Sequence, residues 1–156
     1  MEMGAIFSDC RRWRYVLWRI WDTRLPAMCV IGTNPSVATE VINDRTISKL
    51  IKLAKLWGFG ALFMLNAYAW CSTWPHEMKK QGVEAIGALN DYWIEATVRR
   101  EDVSMTIAAW GIHDFLNRGD LIKEIVPNLY HLGLNKDGSP KHPLFLPSTV
   151  RPTLFA

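Results

Sequence analysis

The chain has 156 residues, 49% of them hydrophobic and 21% charged, with a net charge of +3. That length fits one domain, here residues 1–156, and that balance supports a packed core and excludes a disordered chain. The charge permits a polyanionic partner without demanding one, and no apolar run approaches the roughly 18 residues needed to span a membrane.

Eight Trp are many for this length; indoles serve packing, and they also stack on bases and sugars. Cys10, Cys29 and Cys71 are odd in number and lack CxxC spacing, so neither a zinc site nor a disulfide framework is expected. Reduced thiols in the cytoplasm are the plain reading. Arg11-Arg12 has no apolar stretch behind it, so no signal peptide is expected.

Trp13 to Trp21 alternates, with Trp13, Tyr15, Leu17, Arg19 and Trp21 on one face and Arg14, Val16, Trp18 and Ile20 on the other, and predicts a strand. Ala27 to Gly32 (AMCVIG) is a short apolar run of the kind that forms a central strand buried on both faces. Asp44 stands where a helix N-cap belongs, with Ile47, Leu50, Ile51, Leu53, Ala54 and Trp57 following at helical spacing. Ala61 to Leu65 is the next buried strand and ends at Asn66. A polar and aromatic loop from Tyr68 to Met78 carries Trp70, Trp74, Pro75 and His76.

Asn90 or Asp91 caps a further predicted helix running through Trp93, Ile94 and Val98. Val103 to Ala109 makes a third buried strand and stops at Trp110-Gly111. His113 to Val126 reads as a helix with Phe115, Leu116, Ile122 and Ile125 inward, and Leu129 to Leu134 as a final strand before a short extended tail. This order predicts an α/β fold, three-layer α/β/α around a central, mostly parallel sheet with right-handed crossovers; the N-terminal strand is a candidate antiparallel edge.

Polar sites follow the apolar runs: Gly32-Thr33-Asn34-Pro35-Ser36, Asn66, Trp110-Gly111 with His113, and Lys136 to Pro143 (KDGSPKHP). In an open parallel sheet, groups just past strand ends gather at the carboxyl edge, where α/β proteins bind ligands. Asn34-Pro35 reads equally as a plain turn and as one that aims an amide at a ligand. There is no GxxxxGK[ST] and no GxGxxG, so it is not a phosphate loop. Asn66 carries a donor and an acceptor, which suits a nucleobase edge, or it caps a loop.

Asp44 reads first as a helix cap and alternatively as a carboxylate that orients water. Gly138, Pro140 and Pro143 stiffen the last loop, where Lys136 and Lys141 can approach phosphates and His142 can donate to an oxyanion; the alternative is a surface turn. His76 and His131 have no spaced partner, so no metal is expected, and there is no GxSxG nucleophile elbow. Trp70 and Trp74 are the better candidates for stacking, Trp57 and Trp93 for the core.

The motifs GTNPS at 32–36, Asn66, AAWG at 108–111 and LGLNKDGSPKHPLFLP at 132–147 resemble a bacterial and phage family without an assigned activity. Its members carry an LNPS motif, an Asn-Asp helix start, an Ala-Trp-Gly strand end and a terminal KDGxPxHPL motif. The likeness runs from Tyr15 to Pro147; Thr33 stands where Leu or Met is usual, and Cys71 where an Arg is common.

The same four-site layout is similar to that of the uracil-DNA glycosylase superfamily. There a first strand ends in GxNP or GQDP and positions water, a later strand ends in a pyrimidine-reading Asn, and a final loop supplies a His and grips the DNA. The resemblance implies a uracil-DNA glycosylase-like fold. Asn34 then matches the water-positioning place, with Asp44 as a helping carboxylate and His142 stabilising the departing base. Asn66 matches the base reader, joined by Tyr68, Trp70 and Trp110. Pro35, Ser36, Lys136, Ser139 and Lys141 fall where the DNA strand is held.

No aromatic stands between Pro35 and Thr46, where that superfamily stacks the base. The implied substrate is therefore bulkier than uracil, such as a glucosylated hydroxymethylcytosine of phage DNA. The implied protein is a monomeric, monofunctional DNA N-glycosylase in antiviral defence, with DNA as partner and no membrane, metal or cofactor. Two other readings stay open. A non-catalytic module binding a modified base or nucleic acid is favoured by the missing strong base. A hydrolase of free nucleosides or nucleotides is favoured by the modest charge.

Overall fold

The computed structural model describes residues 1–155. In chain order the elements are β1 (Glu2–Phe7), β2 (Arg14–Ile20), β3 (Ala27–Gly32), α1 (Arg45–Leu56), β4 (Ala61–Asn66), α2 (Pro75–Lys80), a 3₁₀ turn (Gly82–Ala85), α3 (Asn90–Val98), β5 (Val103–Ala109), α4 (Arg118–Ile125), β6 (Leu129–His131) and β7 (Thr153–Leu154). Every residue of β3 and β4 is buried, as near-continuous apolar runs demand of strands covered on both faces.

One seven-stranded mixed sheet results, in the order β1-β2-β4-β3-β5-β6-β7. β4, β3, β5 and β6 are parallel neighbours at its centre, while β1, β2 and β7 are antiparallel to theirs. Each face carries its own apolar layer. On one, Leu17, Met28, Val30, Leu62, Met64 and Ile107 pack with Ile47, Leu50, Ile51 and Ala54 of α1. On the other, Cys29, Ile31, Phe63, Leu65 and Ala108 pack with Met78 of α2, Ile94 of α3 and Ile122 of α4.

Several sequence expectations need correction. The antiparallel β2 is not the edge, because β1 pairs along it; the sequence EMGAIF lacks the alternation that would have announced a strand. Asn90 does not cap α3: Leu89 holds the cap position, and Asn90 is a buried first helical residue whose Nδ2 donates to the carbonyls of Asn66 (2.9 Å) and Ala67 (3.1 Å).

The helix expected from His113 begins only at Arg118. Asn117 is left-handed (φ 53°), and the Asp114 carboxylate takes the first helical N–H groups, from Arg118 at 2.8 Å and Gly119 at 2.7 Å. Leu116, expected inward, is exposed. The last expected strand is cut to three residues because the chain turns at Gly133 and pairs Leu134 with Pro140 instead.

A bulge in β2 matters most for the site. Ile6 faces Val16 but Phe7 faces Arg14, so Tyr15 is an extra residue. The alternation slips there: Tyr15 and Val16 share one apolar layer, and Arg14 turns to the opposite face, over Met64 and Ile47.

Candidate functional site

Parallel register brings the strand ends level. Gly32 pairs with Asn66 on one side and with Ala109 on the other. β3 is followed by α1 on one face of the sheet and β5 by α4 on the other, the arrangement that opens a crevice at the carboxyl edge. A cleft of about 730 Å³ lies there, within the size range of ligand sites. Asn34, Pro35, Ser36, Asp44, Asn66, Gly111, His113, Lys141 and His142 all line it.

The loops around it are tied together. Thr33 Oγ1 donates to the Trp110 carbonyl. Gly111, at φ +65°, turns the chain out of β5 as glycine does without steric cost, and its N–H donates to the Pro140 carbonyl at 2.8 Å. Arg19 stitches the irregular segment before α1, donating to the Thr39 carbonyl at 2.6 Å and to Asn43 Oδ1 at 2.8 Å. Lys49 of α1 donates to the Leu146 carbonyl and holds the last loop against the helix.

The side chains have defined jobs. Asn34 Nδ2 donates to the carbonyls of Ser72 (2.8 Å) and Pro35 (3.1 Å), which leaves Oδ1 to accept. Asp44 caps α1 with Oδ1, 2.9 Å from the Ile47 N–H, and also lines the cleft. His142 Nδ1 accepts the Leu144 N–H at 3.2 Å, so its neutral ring carries the proton on Nε2. His142 is exposed, yet desolvation in the cleft lowers its pKa, with Asp44 acting in the opposite direction. Burial, and then Lys79, lower the pKa of His113.

Asn66 is buried, and Arg14 Nη2 donates to its Oδ1 at 3.3 Å. A guanidinium only donates, so the amide is fixed with Nδ2 free. Of the donor–acceptor pair expected of Asn66, the oxygen is engaged by Arg14 and the donor is free. Arg14, which the sequence reading placed on the strand but not in the site, lines the cleft; burial pushes its pKa down to about 10, so it stays charged at neutral pH. Its one visible signal was a basic residue amid apolar neighbours, and strict alternation assigned it to the wrong face.

The sequence reading also missed Phe145, which lines the cleft and is 84% exposed.

Five expected site residues lie elsewhere. Tyr68 is fully buried in the opposite layer, stacked on Phe115 and donating to Asp114 Oδ1 at 2.5 Å. Its pKa is raised by burial and then by Asp114. Trp110 is buried in that layer, and Trp70 packs edge-on against Trp13. Lys136 is exposed away from the cleft. Ser139 Oγ donates to Asp137 Oδ1 at 2.5 Å inside its own turn.

Fold and cleft together define an α/β protein with a crevice at the carboxyl edge of its parallel strands, its walls largely apolar and set with a few polar side chains. The chain belongs to the DUF1643 family, described as a protein of unknown function, whose model matches residues 14–144. No curated protein and no solved structure matches the chain. No helix among the described residues is long and apolar enough to cross a membrane.

Proposed function

We propose that this protein is a DNA N-glycosylase that excises a flipped, modified pyrimidine. The observation that carries this reading is the meeting of Asn34, Asp44, Asn66 and His142 on one cleft. The base enters the cleft and exposes its C1′–N bond; unstacking costs a few kcal/mol, offset by pocket and backbone contacts. As that bond breaks, positive charge grows on the sugar and negative charge on the base. His142 donates from Nε2 to a base oxygen and disperses the negative charge. Asn34 Oδ1 and the Asp44 oxygen outside the cap bond hold a water; its hydroxyl adds to C1′ and its proton ends on the free base.

Asn66 Nδ2 donates to an acceptor on the base edge, which suits the acceptor-rich side of cytosine better than an edge that alternates with a donor. Lys141 and Ser36 lie where they can take phosphates.

The test is base release. DNA containing uracil, hydroxymethylcytosine or glucosylated hydroxymethylcytosine is incubated with the protein and treated with alkali. Strand breaks on one substrate, lost in Asn34→Ala and His142→Ala, are the expected outcome. Salt-sensitive binding without breaks would replace this reading with a binding module. Neither binding nor breaks would point to free nucleotides.

A further inference from the structure

Arg14 is 2% exposed, lines the cleft, and enters none of the ion pairs of the described residues. Its Nη1 donates to the Ala38 carbonyl at 3.1 Å and its Nη2 to Asn66 Oδ1, both uncharged acceptors, and its Nε has no partner. A buried charge left in this state is costly to the fold.

Arg19, on the same strand, shows what a structural arginine looks like in this protein. Its Nε meets Asn43 Oδ1 at 2.8 Å, its Nη1 the Trp18 carbonyl at 2.8 Å, and its Nη2 the Thr39 carbonyl at 2.6 Å. Every nitrogen of Arg19 is occupied; Nε of Arg14 is not. The carboxylate of the cleft, Asp44, bonds the Ile47 N–H rather than Arg14. With Asn66 set oxygen-first against Arg14, the wall these two form combines positive charge with the free Nδ2 donor of Asn66.

We propose that the Arg14–Asn66 wall receives a compact oxyanion, a carboxylate or a phosphate, carried by the ligand that fills the cleft. The anion supplies the charged acceptor that the guanidinium lacks, and charge-assisted bonds of this kind are the strong ones. A carboxylate on a modified base and the phosphate of a nucleotide have the same chemistry here. The site does not depend on whether the cleft breaks a glycosidic bond.

The test uses the full chain at low ionic strength and titrates inorganic phosphate and acetate separately by calorimetry, with neutral uracil for comparison. Saturable binding of an anion is expected, and the tighter of the two names its source, phosphate for a nucleotide and acetate for an acidic base. Asn66→Asp sets a carboxylate against Arg14 and should weaken anion binding by about 10- to 100-fold. A shift of the Arg14 Nε–H resonance on adding the anion reads the same contact in the unsubstituted protein, whether or not the variant folds. No saturable binding, or an unmoved Arg14 resonance, overturns the proposal. So does binding that survives Asn66→Asp but is lost in Lys141→Met, which would put the anion at the rim. Base release is scored separately, so either reading can fail alone.

Discussion

The amide nitrogen of Asn34 donates to the Ser72 carbonyl at 2.8 Å, with the carbonyls of Pro35 and Trp70 at 3.1 and 3.4 Å. Three acceptors around one nitrogen join the loop after β3 to the loop after β4 and point the amide oxygen away from them. Asn34→Asp replaces this donor with a carboxylate facing carbonyl oxygens. It should cost about 1–3 kcal/mol of stability in urea unfolding at neutral pH. The deficit should shrink as pH falls, because a protonated carboxyl can donate again.

Asp44 serves two structures, and two substitutions separate them. Asp44→Ser keeps a side-chain acceptor for the Ile47 N–H and should leave stability within a few tenths of a kcal/mol, whereas Asp44→Ala should lose about 1 kcal/mol. If the carboxylate handles water, both should lower base release by about a hundredfold. Normal release in the serine variant would leave Asp44 as a cap alone.

His142 sets a pH dependence. Burial lowers its folded-state pKa below the ordinary 6.5, as it does for His113 and His131. Between the folded and unfolded pKa values the unfolded chain binds more protons. The stability these neutral rings contribute is therefore complete above pH 6.5 and is lost as pH falls through their folded pKa values. Protonation of His142 also removes the acceptor of the Leu144 N–H. Thermal melting should show a decline below pH 6.5, and His142→Gln should flatten part of it.

Gly32 is a spatial requirement of Asn66. A Cβ at this position would meet Met64 Cε at 2.7 Å and Asn66 Nδ2 at 3.0 Å. The methionine tip can move; the amide is held by Arg14. Gly32→Ala should cost about 1–3 kcal/mol and reduce ligand binding through displacement of Asn66. Calorimetric anion titration and urea unfolding measure the two effects on the same preparation.

Phe145 stands 84% exposed beside His142, on the wall of the cleft. Apolar side chains presented this way can wedge between bases and hold open the gap left by a flipped nucleotide. Phe145→Ala should leave stability within about 0.5 kcal/mol. It should weaken base release from duplex DNA more than from single strands. An equal effect on both substrates would remove the wedge role.

The sequence by itself determined β3 and β4, because a fully buried strand needs only a short apolar run, which is a local property; β5 forms where expected, but its first half is not buried and Ser104 is exposed. It determined that Asp44 caps α1, since capping joins residues three apart. It also determined that Asn34, Asn66 and His142 meet, because parallel strands present their carboxyl ends at one edge.

The tertiary structure decided what depends on partners distant along the chain. β1 exists because β2 offers it a ladder. The bulge at Tyr15, set by pairing with β1, put Arg14 in the cleft. Arg14 then decided which end of Asn66 faces a ligand, and Ser72 did the same for Asn34. Tyr68, Trp70 and Trp110 stand just past strand ends in sequence, yet packing drew their rings into the opposite layer. Spacing along a chain fixes which residues reach an edge; the direction a side chain takes there is set by the hydrogen bonds and volume of segments that only folding brings beside it.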